Sequence, residues 1–372
     1  MVELYYLMTN DLRLHDNKSL DAFLKYSGAM STKAVCFVFD PEQADPQQNA
    51  FFNKRAFGVF HAAVIQITHI LETHHITVEK HRTYDFLKNK TVIMSSDVSP
   101  FARQRLAYIE SIASKVCVYD NKHLASEPKK KYKVYSAYYK SVIPELLDVE
   151  TNKYKTLRKK ESDKFPKPKL YSDALKMLSG FNPEQYYRTR KASVLTRSGS
   201  TNVSWAISRG IVSVREVYEH CRKECLRYAE EGIKAMDMLV RELIFRDFYS
   251  RATLWFTKKY GDVLTHQNKV HWKIKTMSQY IKAVDDAPEV IQVIYKALMK
   301  TGQISNYGRM LFATWTYDIG ADWHLGEKLF AQELLDYDYS SNHWNWAHHS
   351  IQGLNHQWPG KKYKIDNVTL YA

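Results

Sequence analysis

KAVCFVFD, Lys33 to Asp40, then FFNKRAFGVFHAAVIQITHILETH, Phe51 to His74, then ITVEKH, Ile76 to His81, are the segments whose reading decides the fold. The outer two are short and rich in Val, Ile and Phe, bounded by polar residues, which reads as strand. Between them Phe60, Val64, Ile67 and Leu71 recur at helical spacing. Strand and helix in alternation imply a parallel sheet covered by helices. Working outward, VELYYLM (Val2–Met8), TVIMSS (Thr91–Ser96) and KVCVYD (Lys115–Asp120) supply three more strands of the same kind. An α/β domain with a Rossmann-like sheet is therefore expected over 1–125.

From Ser126 the composition turns lysine-rich, with Pro166 and Pro168 in a stretch that can bury little apolar surface. A basic interdomain linker is expected over 126–169. Beyond it the strand signals stop, and IKAMDMLVRELIFRDFYSRATLWF (Ile233–Phe256) and APEVIQVIYKALMKTG (Ala287–Gly302) repeat at helix period. An all-helical domain is expected over 170–372, and a chain of 372 residues is long enough for two cores.

The formal net charge of +14, from 54 Lys plus Arg against 40 Asp plus Glu, implies attraction to polyanions, nucleic acid first and acidic membrane second. Cys36, Cys117, Cys221 and Cys225 form no C-x-x-C pair and have no histidine at metal spacing, so neither a zinc site nor a disulfide framework is indicated. No stretch is apolar for the length a membrane span needs. An intracellular, soluble protein without a metal is expected.

Several constellations carry chemistry. LLDYDYSSNHWNW, Leu334 to Trp346, mixes Asp336 and Asp338 with Trp344 and Trp346. A core strand would not carry the acids and a solvent loop would not need the tryptophans, so something is held there. GSTNVSWAISRGIVSVREV, Gly199 to Val217, sets Ser200, Thr201 and Ser204 around Val203 at a helix mouth, where hydroxyls and free N–H groups suit a phosphate or an ordinary cap. In RELIFRDFY, Glu242 and Arg246 share a helix face, with Phe245 and Tyr249 on a neighbouring one. In TGQISNYGRM, Asn306, Arg309 and Met310 share another, and Arg309 is placed to pair with a carboxylate such as Asp336. Trp272, Trp323 and Trp346 lie in separate helical segments, as core aromatics or as a chain leading to a redox cofactor.

Taken in order, these segments resemble the DNA photolyase and cryptochrome family over nearly the whole chain. NDLRLHDNKSL (Asn10–Leu20) is similar to its N-terminal signature, followed by FVFDPE on the second strand; DVSPFARQR (Asp97–Arg105) is similar to its antenna-site stretch. STNVSWAISRGIVSVREV, RELIFRDFY, TGQISNYGRM, DWHLGEKLF and LLDYDYSSNHWNW follow in the family's order and spacing. The resemblance implies FAD, held by Tyr187, Ser200, Thr201, Val203, Ser204, Arg246, Arg309, Asp336, Asp338 and Asn342, with Tyr186 and Arg190 near the pyrophosphate end. Asn342 would sit beside flavin N5, and Trp346, Trp323 and Trp272 would relay electrons to the flavin. Glu242, Asn306 and Met310 would contact a cyclobutane pyrimidine dimer, with Phe245, Gln303 and His348 where relatives carry tryptophans.

The activity so implied is blue-light-driven repair of dimers in single- or double-stranded DNA, by a monomer acting in cytoplasm, nucleus or nucleoid. The alternative is a cryptochrome photoreceptor or DNA-binding flavoprotein of DASH type, with a preference for single strands and no duplex repair. The chain ends a short way past Trp346, where relatives continue for several helices, so a class I or DASH-like member shortened at its C-terminus is expected. An antenna, folate or deazaflavin, is left open, and Trp344 stands where relatives often have glycine.

Overall fold

The computed structural model describes residues 3–26, 32–148, 153–157, 165–190, 199–256 and 271–350. Five parallel strands form one sheet: β1 (Leu4–Leu7), β2 (Lys33–Val38), β3 (Thr77–His81), β4 (Thr91–Ser95) and β5 (Lys115–Tyr119), in the order β3-β2-β1-β4-β5. Tyr6 at its centre stands opposite Val35 on one side and Ile93 on the other. β1 and β4 are buried along their whole length, as expected of parallel strands covered on both faces, whereas β3 and β5 are the half-exposed edges. The helices among them are α1 (Lys18–Lys25), α2 (Pro41–Ala44), α3 (Lys54–Thr73) and α4 (Pro100–Ile112). Asn53 caps α3 by accepting from the Ala56 N–H, and Ser99 caps α4 just ahead of Pro100.

The remaining elements are helical apart from a small ribbon: α5 (Tyr135–Val142), β6 (Leu147–Asp148) paired antiparallel with β7 (Lys153–Tyr154), α6 (Lys169–Leu178), α7 (Pro183–Thr189), α8 (Ser204–Ser208), α9 (Val214–Cys225), α10 (Glu230–Phe256), α11 (Met277–Asp285), α12 (Glu289–Thr301), α13 (Asn306–Asp318), α14 (Trp323–Glu333) and α15 (Tyr339–Ser350). The architecture is the expected α/β domain with a parallel sheet, followed by an all-α domain.

The chain path departs from a simple division at 125 and 169. One compact unit comprises residues 1–124, 156–179 and 203–219; the other comprises 125–155, 180–202 and 220–372. The stretch expected to be a linker instead carries α5 and the β6–β7 ribbon within the second unit, and α6 and α8 return to the first.

The Asn10–Leu20 segment fixes one of those returns. The Arg13 guanidinium, almost wholly buried, donates to the carbonyls of Asp16, Gly210 and Asn121, each at 3.1 Å. Asp16 pairs with Arg215 at 2.6 and 2.9 Å. Gly210 has φ +67°, and a Cβ there would fall 2.0 Å from the Asn10 carbonyl oxygen, so both conformation and space demand glycine. Asp11 meanwhile accepts from Tyr6, Ser95, Asn121 and the Thr9 N–H, which keeps this buried carboxylate hydrogen-bonded on every side. Cys36, Cys117, Cys221 and Cys225 are free thiols. Among the described residues no cluster of metal-ligating side chains occurs, and no helix is long and apolar enough to cross a membrane.

Candidate flavin and electron-relay site

All of the expected site residues except Val203 and Ser204 lie in the second unit. Its core joins α11 to α15, with Trp323 and Trp346 buried in one apolar cluster and Trp272 packed against it. The indole of Trp346 lies on α14, edge-on to Phe330 with ring centroids 5.0 Å apart. Gly326 makes room for it, since a Cβ there would fall 2.1 Å from Trp346 Cη2.

Trp323 begins α14 with Asp322 as its cap and is fully buried. His343 faces it at 5.6 Å between ring centroids and joins the buried Glu327 carboxylate through Nδ1 at 2.8 Å. Glu327 acts twice, because its backbone carbonyl accepts from the Asn342 amide at 3.1 Å. The side chain expected at flavin N5 is thus held by α14, with its amide nitrogen engaged and its oxygen left to accept.

Arg309 and Asp336 form the pair read from the sequence. Arg309 Nη2 lies 2.9 and 2.8 Å from the two carboxylate oxygens. Leu335 N–H donates to the Gly302 carbonyl, which ties the acidic loop to the end of α12. Arg309 Nε is buried without a hydrogen-bond partner among the described residues, a cost that an added acceptor would remove. Asp338 has a local duty as well: its carboxylate accepts from the Ser341 N–H and caps α15.

Ser200 and Thr201 sit on a turn shaped by two left-handed residues, Gly199 (φ +72°) and Asn202 (φ +54°). The turn is tied to α7, where Asn182 N–H donates to the Gly199 carbonyl. Val203 and Ser204 belong to the first unit, Ser204 opening α8. The four positions therefore divide between the two units. Tyr187 is exposed on α7, while Tyr186 is buried and its hydroxyl accepts from Arg190 Nε at 2.9 Å.

The expected lesion contacts are differently placed. Glu242 pairs with Arg190, more than fifty positions earlier in the chain, instead of with Arg246 one helical turn along. Although burial works against its charge, Glu242 holds the Arg190 guanidinium above its ordinary pKa. Phe245 lies flat against Tyr135, centroids 3.3 Å apart and planes 7° from parallel, so one face of that ring is covered. Asn306 is exposed at the start of α13, with Arg309 and Met310 partly buried on the same helix. Gln303 is partly buried beside the end of α12, its N–H donating to Thr301. His348 is half-buried near the end of α15, and burial holds its imidazole below the ordinary histidine pKa.

Residues 238–368 match the FAD binding domain of DNA photolyase. The chain is 32% identical over 172 residues to cryptochrome DASH, chloroplastic/mitochondrial, of Ostreococcus tauri, a match covering 44% of this chain and 30% of that protein. It is 28% identical over 156 residues to the deoxyribodipyrimidine photo-lyase of Alkalihalophilus pseudofirmus, covering 40% and 31%. The fold is that of the archaeal photolyase from Sulfolobus tokodaii solved with two FAD molecules, at TM-score 0.72 and 19% identity over 95% of this chain and 84% of that one.

The chain is similar to members of the DNA photolyase and cryptochrome family and shares their fold. Against either curated relative the match spans less than half of that relative's length. Residues 238–368 carry the match to the FAD-binding domain, and the site residues suit that group: among the described residues Arg309 Nε lacks an acceptor and Asn342 offers its oxygen.

Three participants were not singled out from the sequence. Tyr135 covers Phe245, and Glu327 and His343 brace Asn342 and Trp323. None had a local signal, because each pairing joins residues on different helices. The structure also accounts for Trp344. Its indole N–H donates to Thr253 Oγ1 at 2.9 Å, so it anchors α15 on α10 while Trp346 faces α14.

Proposed function

We propose that this protein uses FAD and blue light to split cyclobutane pyrimidine dimers in DNA. The observation that carries the reading is the buried tryptophan cluster beside a braced Asn342 and the Arg309–Asp336 pair. Reduced FAD, when bound, supplies an electron to the lesion on absorbing light and recovers it after the ring opens. Arg309 and Asp336 would hold its ring system, and Ser200 and Thr201 would offer hydroxyls to its pyrophosphate. Asn342 would accept a hydrogen bond from the ring, and its own amide cannot turn without leaving the Glu327 carbonyl. Trp346, Trp323 and Trp272 pass electrons inward from the surface of the unit.

Asn306 and Met310 meet the extruded bases, and the net charge of +14 attracts the phosphates around them. A damaged pair costs less to extrude than an intact one, which gives selectivity without reading sequence. Repair of a dimer-containing oligonucleotide by the FAD-loaded protein under blue light is the test. Restored thymines in single- or double-stranded substrate support the reading; persistent dimers with a flavin that still photoreduces refute it.

One observation favours a second reading. Glu242 is engaged by Arg190 and one face of Phe245 by Tyr135, so two expected lesion contacts are already occupied. A photoreceptor of the cryptochrome type needs the relay and the flavin but neither of those contacts. In that case light reduces the flavin in Glu242→Gln and in the parent chain alike, and neither repairs DNA.

A further inference from the structure

Trp272 is the outermost of the three relay tryptophans, partly buried where the others are fully so. The strand-like segment that carries it is laid against the turn between α13 and α14: Lys273 N–H donates to the Gly320 carbonyl at 2.8 Å, and Asp322 N–H to that of Ile274 at 2.9 Å. This fastening brings Trp272 against Tyr317 of α13, edge to face, with ring centroids 6.5 Å apart and planes at 80°. The spacing is that of an ordinary packed aromatic pair. Tyr317 is 37% exposed, so its ring extends the aromatic cluster to water.

A tyrosine that loses an electron must also lose its phenol proton, and the surroundings decide whether it can. Tyr280 in the same core fails this requirement. It is wholly buried, its ring is tilted against Trp315 at 5.8 Å, and among the described residues its hydroxyl meets only the Thr316 hydroxyl, whose proton goes to the Phe312 carbonyl. Burial pushes its phenol far above the ordinary range. Tyr317 has bulk water as its proton acceptor.

We propose that Tyr317 is the terminal electron donor of the relay, a redox residue beyond the three tryptophans. Oxidised Trp272 takes one electron from Tyr317, the phenol proton passes to water, and neutral Trp272 and a neutral tyrosyl radical remain. The oxidant would be the hole left on Trp272 once Trp323 and Trp346 have passed an electron inward, so the inference rests on the relay of the proposed function. Once the proton has gone, return of the electron requires reprotonation, and the charge-separated state outlives one that ends on a tryptophan cation. A small thiol in solution then reduces Tyr317 at the surface.

Flash spectroscopy and electron spin resonance of the FAD-loaded full chain test this. The expected result is a tyrosyl signal whose formation slows in heavy water. It is lost in Tyr317→Phe, where a tryptophan cation persists and recombines faster, and lost also in Trp272→Phe. A parent signal that stays tryptophanyl but changes in Trp272→Phe overturns the role of Tyr317 and leaves the relay standing, as does a tyrosyl signal that survives Tyr317→Phe. A signal indifferent to both Trp272→Phe and Trp346→Phe overturns the relay reading itself.

Discussion

Replacing Gly326 by alanine sets two effects of opposite sign against each other. In the middle of an ordinary helix the change stabilises by about 1 kcal/mol, because glycine loses more backbone freedom on folding. Here the new methyl falls 2.1, 2.6 and 2.7 Å from Cη2, Cζ3 and Cζ2 of Trp346, all on the outer ring of the indole. Carbon atoms pack best at roughly 3.5–4.0 Å, so the ring has to move by more than about 1 Å. Trp346 is 2% exposed, with Phe330 against it, and has little room to yield. Overpacking of this kind costs about 1–3 kcal/mol.

The clash offsets or outweighs the helix gain, and a net loss of up to roughly 2 kcal/mol is expected, read as a lower denaturant midpoint at unchanged slope. Trp346→Phe removes the outer ring, and in that background Gly326→Ala is expected to turn neutral or stabilising. The double-mutant cycle should give a coupling on the order of 1–3 kcal/mol. If Gly326→Ala alone stabilises by about 1 kcal/mol, the full helix value, the indole does not lie over Gly326 and the placement of Trp346 is wrong.

Arg309→Ala leaves the Asp336 carboxylate, 9% exposed, without its cation; since Arg309 itself is 29% exposed, a cost of about 2–3 kcal/mol and weaker FAD uptake are expected, measured by unfolding and flavin titration. Trp344→Phe deletes the bond to Thr253 and should lower stability by about 1 kcal/mol from that bond alone, whereas unchanged thermal unfolding would contradict the anchoring role. Burial depresses the His348 pKa, so the unfolded chain binds that proton at higher pH than the native one. Its contribution to stability is therefore present above the ordinary value of 6.5 and is lost as pH falls below it, and His348→Gln should flatten the acid limb of a stability–pH curve.

The sheet was legible because period and composition agreed: each of the five apolar runs became a strand, and Val64, Ile67 and Leu71 became the buried face of α3. The lysine-rich stretch was misleading because its charges hide a short apolar stripe. Tyr138 and Val142, four apart, are buried on α5, and the segment is fixed where Ala125 N–H donates to Asp247 and its carbonyl accepts from Arg251. The returns of α6 and α8 to the first unit left no mark in the sequence, since an amphipathic pattern says that a face is buried but not against which core. In the site, Arg309 with Asp336 was readable from helix phase and charge. Glu242 was read on the same helix face as Arg246, yet the structure gives it Arg190, because a partner brought near by tertiary packing outweighs a solvated neighbour one turn away.

The interlaced chain path bears on whether the two units could ever have been exchanged as modules. The backbone passes from one unit to the other after Leu124, Lys155, Ser179, Asn202 and Glu219. A cut at any single one of those points leaves at least one fragment holding part of both cores. Residues 1–125 expressed alone would lack the Gly210 carbonyl that Arg13 reaches and the Arg215 that neutralises Asp16. Recombination that swaps the sheet for another at one crossover point would break those contacts, so the two units are bound to be inherited together.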